Sequence, residues 1–206
     1  LEKLRELTEE YNVVLIFDEV KTGVKIAAGG ASEYYHIKPD LIALSKSLAC
    51  GFSLGAFGGK REIMEHLCHG EVAHGGTYNA NPLAVKASTV ALRDVLTKEN
   101  FEQAVKLEDK LAEGIRKIMK DNNIPGYVNS IGTCGMVFFT EHEISDYRSF
   151  VKYFNVDRLT RLWFELMNNG IWISPRADEH WTVSVQHTEE DVEKFLEAFR
   201  KVAPEL

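Results

Sequence analysis

No stretch of this chain approaches the roughly 18 consecutive apolar residues that a membrane-spanning helix requires. The main aliphatic runs, Val13–Phe17 and Leu41–Leu44, stop after five and four positions. Positive charge is in deficit. Against 31 Asp and Glu stand 24 Lys and Arg, a formal net charge of −7, and the cations form no stripe. That balance argues against a nucleic-acid partner, whose phosphates call for a basic surface. The sequence shows no secretory signal, low-complexity tract or internal repeat. Cysteine is scarce and odd in number: Cys50, Cys68 and Cys134, with no C-x-x-C spacing. A disulfide framework is therefore not expected, and the thiols point to a reduced, cytoplasmic setting.

What remains is an ordinary globular composition over 206 residues, enough for one large domain or two small ones. The stretch from Val13 to Gly59 organises the chain. Val13–Phe17 stops at Asp18-Glu19-Val20, Leu41–Leu44 stops at Ser45-Lys46, and glycines follow at 51, 55, 58 and 59. Short aliphatic runs bounded by polar and turn residues read as buried parallel strands, and hence as an α/β fold. Ligands gather at the carboxyl edge of such strands. Asp18 and Lys46 would both stand there, one per strand, and the 28 residues separating them leave room for one crossover. An amine and a carboxylate aimed into one crevice suit pyridoxal phosphate. The amine forms a Schiff base with the aldehyde, and the carboxylate keeps the pyridine nitrogen protonated.

An apolar strand ending in Asp-Glu also suits the magnesium-binding strand of a nucleotide hydrolase. That chemistry needs G-x-x-x-x-G-K-[ST]. The near match ending at Gly59-Lys60 has Leu54 in place of the first glycine and Arg61 in place of the hydroxyl.

The segments LIFDEVKTGVK, KPDLIALSKSLACGFSLGAFGGKREIM and HGGTYNANPLAV together resemble the cofactor-binding half of class III, fold-type I, pyridoxal-phosphate-dependent aminotransferases. Within them the chain is most similar to the branch of glutamate-1-semialdehyde 2,1-aminomutase, as is the tail GIWISPRADEHWTVSVQHTEEDVEKFLEAF. The resemblance implies a large-domain portion over residues 1–98, mainly parallel sheet with helices, and a small C-terminal α+β domain over 99–206. It implies catalytic roles for Lys46 and Asp18, Val20 against one face of the ring, and Gly76 and Thr77 on the phosphate. Thr77 would reach the cofactor of a second copy, so a homodimer is implied. Glu179 would border the substrate pocket, and Arg176 could clamp a substrate carboxylate. The substrate class implied is a small amino acid or amino-aldehyde.

Each residue also has a plainer reading: Val20 as core, Glu179 and Arg176 as solvated loop charges. Lys21 and Leu48-Ala49-Cys50 depart from the family pattern, where less charged and more glycine-rich residues are usual. His66, Cys68, His69 and His74 cluster locally, but with no second ligand pair they read as a polar helix end. Family members carry an N-terminal segment, a phosphate loop and a ring-stacking aromatic ahead of the region matching Leu1. The chain is therefore expected to be a fragment, a truncated product or one piece of a nicked enzyme. Two functions stay open: amino-group transfer, as aminotransferase or aminomutase, and a non-catalytic fragment that keeps the fold and a dimer surface.

Local signals predict further elements. Residues 1–11 read as an amphipathic helix, with Leu1, Leu4 and Leu7 in one stripe. Ser32 is expected to cap a helical turn through His36, and Leu54–Phe57 to form a third strand. A helix is expected over 60–68. Asn81-Pro82 marks a helix start, running to about Thr97, and another helix covers about 101–121. Strands are expected at 135–140, 171–173 and 181–185. A helix spans 156–169 with Gly170 as its cap, and Thr188 with Asp191 opens the last helix. Trp163, Phe164, Trp172 and Trp181 are expected in the small-domain core.

Overall fold

The computed structural model describes residues 1–174 and 179–206. It divides into two compact units, Leu1–Phe101 and Glu102–Leu206.

The first unit opens with helix α1 (Glu2–Glu10), strand β1 (Ile16–Asp18), the short helix α2 (Gly30–Tyr34) and strand β2 (Leu41–Leu44). Strand β3 (Ala56–Gly59), helix α3 (Arg61–Cys68) and helix α4 (Pro82–Val90) follow. The sheet order is β1-β2-β3. β1 and β2 run parallel, as their flanking signals predict, with Ile16 opposite Leu41 and Asp18 opposite Ala43. β3 returns antiparallel, Leu44 opposite Ala56. The β1 strand begins later than the run Val13–Phe17 suggests. Val13 and Val14 are exposed, and the chain joins the ladder only once Leu41 N–H donates to Leu15 O. β3 likewise covers 56–59 rather than 54–57.

Ser32 does not cap α2. It lies within the helix, and its hydroxyl donates to Ile37 O at 3.0 Å. The core of this unit is small: Leu15, Phe17 and Ile37, with Ala31 and Ile42 packed on them.

Asn81 caps α4 as expected, its side chain accepting from Leu83 N and Ala84 N. The helix does not continue regularly to Thr97. After Val90 it widens into a π-helical turn, Ala91–Val95, closed by Leu96 N–H donating to Ala91 O at 2.7 Å.

The second unit takes most of helix α5 (Lys98–Asp121), then β4 (Tyr127–Ile131), β5 (Cys134–Phe138), α6 (Tyr147–Tyr153), α7 (Val156–Asn168), β6 (Trp181–Thr182) and α8 (Glu189–Val202). The three strands form an antiparallel sheet, β4-β5-β6. Helical spacing puts Ala104, Leu107, Leu111, Ala112, Ile115, Ile118 and Met119 of α5 on one buried stripe. They pack with Val137, Leu162, Leu166, Leu196 and Phe199 into a continuous core.

Thr188 and Asp191 form the expected capping box. Gly170, at φ +82°, ends α7: its N–H donates to Met167 O, and Ile171 N–H to Leu166 O. That cap explains why 171–173 is not a strand. The amide of Ile171 is spent on α7, and Ile173 O accepts from Trp163 Nε1 at 3.1 Å. The aromatics divide. Trp181 is partly buried against the core, whereas Trp172 is 71% and Phe164 49% exposed. Helix α6, opened by a capping box of Asp146 and Ser149, and strand β4 come in addition to the expected elements.

Candidate active site

The alternation of β1 sorts its final residues. Phe17 points into the core, Asp18 out to solvent, and Glu19 back in, 1% exposed. Asp18 Oδ1 accepts the N–H of Val20 at 3.0 Å, and Val20 is half-buried. The Glu19 carboxylate accepts from Thr22 Oγ1 (2.8 Å), Ala31 N (2.7 Å) and Ser32 N (3.0 Å). Its own amide donates to Ala43 O, adding one bond to the parallel ladder. Glu19 therefore anchors α2 beneath the strand end that presents Asp18. The tandem Asp-Glu was the signal for this role, since period-2 alternation sends neighbouring side chains to opposite faces.

Lys46 opens a 3₁₀ turn, Lys46–Ala49, directly beyond β2. It lies three residues after Ala43, the register partner of Asp18. Both residues thus occupy the carboxyl edge of one parallel strand pair, and both are exposed. Lys46 sits at φ +45° and Cys50 at φ +46°. The left-handed region costs a non-glycine residue about 1–2 kcal/mol, so the surroundings must impose it. They do so with hydrogen bonds. Ser45 Oγ donates to Leu54 O (2.8 Å), Leu48 N–H to Ser45 O (2.9 Å), and buried Ser88 Oγ of α4 to Leu48 O (2.7 Å). Leu48 and Ala49 are buried behind the turn. Ser45 and Ser88 were not anticipated as supports; only their long-range partners reveal them.

Gly76 and Thr77 belong to a loop exposed throughout, from His69 to Asn81. Gly76 and Ser45 line one open groove of about 1030 Å³, together with Leu54, Phe57, His74 and Asn79. Asp18, Lys46 and Thr77 are not part of that lining. His66 pairs with Glu71, and Phe57 meets His74 edge-on at 5.2 Å.

The opposite edge of the sheet carries a structural charge cluster. Asp40, 4% exposed, accepts from Leu15 N (2.6 Å), Arg5 Nη1 (3.1 Å) and Lys60 Nζ (2.7 Å). The Lys60 ammonium, then the Leu15 amide and the Arg5 guanidinium, hold its carboxyl well down, at about 2.

In the second unit Glu179 lines a hollow of about 310 Å³ with Met136, Trp172, Ser174, His180 and Trp181. Arg176 lies outside the described residues. Nearby on α5, burial pushes the Glu108 carboxyl up to about 7, although the Trp181 N–H it accepts pulls the other way.

The class of this fold is given by the solved structures that overlay the chain, which are fold-type I pyridoxal-phosphate-dependent transferases. An omega-transaminase from Sphaerobacter thermophilus is 31% identical, with TM-score 0.90 over 99% of this chain and 47% of its own. A glutamate-1-semialdehyde-aminomutase from Pseudomonas aeruginosa PAO1, in complex with PMP, is 25% identical, with TM-score 0.89 over 100% and 47%. The family model for class-III aminotransferases matches residues 1–202, and the chain belongs to that family.

Among curated relatives, glutamate-1-semialdehyde 2,1-aminomutase of Aquifex aeolicus (strain VF5) is 37% identical over 205 residues, 99% of this chain and 48% of the relative. The aminomutase of Clostridium botulinum (strain Alaska E43 / Type E3) is 40% identical over 205 residues, 98% and 48%. The chain spans about half the length of the curated relatives it matches. Class III aminotransferases use pyridoxal phosphate.

Proposed function

We propose that this protein transfers amino groups with pyridoxal phosphate, as an aminotransferase or as an aminomutase of the glutamate-1-semialdehyde type, on a small amino acid or amino-aldehyde. The observation that carries the reading is Lys46. Its amine is exposed on a left-handed turn that three hydrogen bonds hold, at the strand end next to Asp18. The residues present fit the cofactor: an amine for its aldehyde, an acceptor-only carboxylate for its ring nitrogen, and a glycine-flanked hydroxyl for its phosphate. When bound, pyridoxal phosphate supplies an electron sink for a carbanion at the substrate's amino-bearing carbon.

Lys46 would hold the cofactor through Nζ and, once displaced by the substrate amine, carry a proton at that atom between carbon centres. Asp18 would keep the pyridine nitrogen protonated; the Val20 N–H on Oδ1 and the anchored Glu19 beneath fix its strand end. Val20 would pack on the ring face. Gly76 and Thr77 would bind phosphate from a second copy, which supports a homodimer in which each site needs two chains; exposure of the whole loop supports this assignment. Glu179 would border the substrate, and Arg176 would fork onto its carboxylate. The three cysteines are unpaired, which supports a cytoplasmic setting. Among the described residues no helix is long and apolar enough to cross a membrane.

A second reading is a non-catalytic chain that keeps the fold. Adding pyridoxal phosphate and scanning for visible absorption separates the two. A band that disappears in Lys46→Ala supports the enzyme; no band, or one indifferent to Lys46→Ala, supports the non-catalytic chain. Amino transfer to added 2-oxo acids then distinguishes aminotransferase from aminomutase.

A further inference from the structure

The buried stripe of α5 contains one ionisable side chain. Glu108 occupies a core position beside Leu107 and Leu111 and is fully buried. Its Oε2 accepts the indole N–H of Trp181 at 2.6 Å, while Oε1 has no hydrogen-bond partner. A buried polar atom without a partner is costly and uncommon, so a residue of this kind calls for a function other than filling space. The neighbouring strand is cut to admit it. Gly135 is the register partner of Trp181, and a Cβ there would come within 2.4 Å of both Glu108 Oε1 and the Trp181 ring.

Trp181 lines two hollows of this unit, of about 430 and 310 Å³, as do Trp172, Ile173, Thr182, His187 and Phe195. The smaller one also holds Glu179, two residues upstream of Trp181. The strand that carries Trp181 is only two residues long, pairing Thr182 with Cys134 and Trp181 with Gly135. So short a ladder restrains its approach weakly. The indole contact to α5 supplies an anchor that the ladder lacks. We propose that Glu108 is a positioning residue: by gripping the indole of Trp181 it fixes the segment from Glu179 to Thr182, and so the wall of the hollow against which the substrate is read. This rests on the assignment of Glu179 to the substrate pocket made above.

Around Glu108, Asp109 raises its proton affinity and Arg116 lowers it, both from α5. Arg116 donates to Val128 O and Ser130 Oγ of β4. Lys110 pairs with Glu189 and Glu193 of α8. On β5 the nearest titratable group in sequence is the buried Cys134 thiol, against Thr182 Oγ1. As the acid, Glu108 still accepts the indole N–H through Oε2; as the anion, it makes that bond charge-assisted.

The test uses the intact protein with pyridoxal phosphate. Tryptophan emission is followed from pH 5.5 to 8.5, and KM and kcat are measured for an amino donor. We expect an emission transition centred near pH 7 that is absent in Glu108→Gln and in Trp181→Phe. Glu108→Leu and Trp181→Phe should each raise KM about tenfold with kcat changed less than about twofold, and Glu108→Gln, which keeps an acceptor, should stay within about twofold of the parent. An emission transition that survives in Glu108→Gln, or an unchanged KM in folded Glu108→Leu, overturns the proposal. If Glu108→Leu does not fold, the KM of Trp181→Phe decides. Loss of the visible cofactor band in the parent protein would instead count against amino transfer, and the emission titration would still decide whether Glu108 grips Trp181.

Discussion

The two units are held together by different physics. In Leu1–Phe101 the central cluster of buried apolar side chains is small, and charge takes up much of the work. Asp40 gathers Arg5, Lys60 and the Leu15 amide, and Glu19 gathers Thr22, Ala31 and Ser32. In Glu102–Leu206 a continuous apolar core does that work, and Glu108, the one fully buried carboxyl among the described residues there, is poorly served. The two carboxyls show the difference. Cations and an amide hold Asp40 at about 2, and burial drives Glu108 to about 7. A buried acid stabilises or costs according to its partners, not its depth. The sheet of the first unit divides its labour further: structural charges sit at its amino edge, and the chemically exposed pair at its carboxyl edge.

The contrast is testable, and core truncation should have the largest effect. Phe199 is fully buried in the second unit, and Phe199→Ala should cost about 3–5 kcal/mol by urea unfolding, with the first unit little changed. Asp40→Ala strikes the first unit instead. Leaving Arg5, Lys60 and the Leu15 amide without their acceptor should cost about 3 kcal/mol.

The pH dependence of the two units should then have opposite signs. The Asp40 carboxyl is lowered from 3.8 to about 2, so its contribution is complete above about pH 4 and lost as pH falls toward 2. The Glu108 carboxyl is raised from 4.5 to about 7, so the second unit loses stability as pH climbs from 4.5 to 7 and levels off above. That loss should be about 3 kcal/mol, flattened in Glu108→Gln, and unfolding monitored separately in each unit would detect it. The smallest effect belongs to the α4 cap. Asn81→Ala should cost about 1 kcal/mol and leave the pH profiles of both units unchanged.

Much of the fold could be read without coordinates because its signals are local. Strand β2 at 41–44, the Asn81 cap, the Gly170 terminus and the Thr188–Asp191 box each lie within a few residues, and each formed where the residue pattern placed it. Ile171–Ile173 shows how a local reading fails. Its β-branched pattern is genuine, but the amide of Ile171 was already committed to capping α7. The π-helical turn at Ala91–Val95 is a similar case, since nothing in the residues from 82 to 97 marks where the extra residue enters.

The sequence by itself determined where β1 and β2 end, where α4 and α8 start and α7 stops, and that an acid and an amine follow two aliphatic runs. Tertiary structure decided that those runs pair in parallel with Asp18 beside Ala43, that Ser88 steadies the turn of Lys46, and that Glu108 meets Trp181 across 73 residues. The reason is range. Caps and alternation are satisfied within one element. The partner of a buried polar group is set by which elements pack together, and no window of neighbouring residues contains that information.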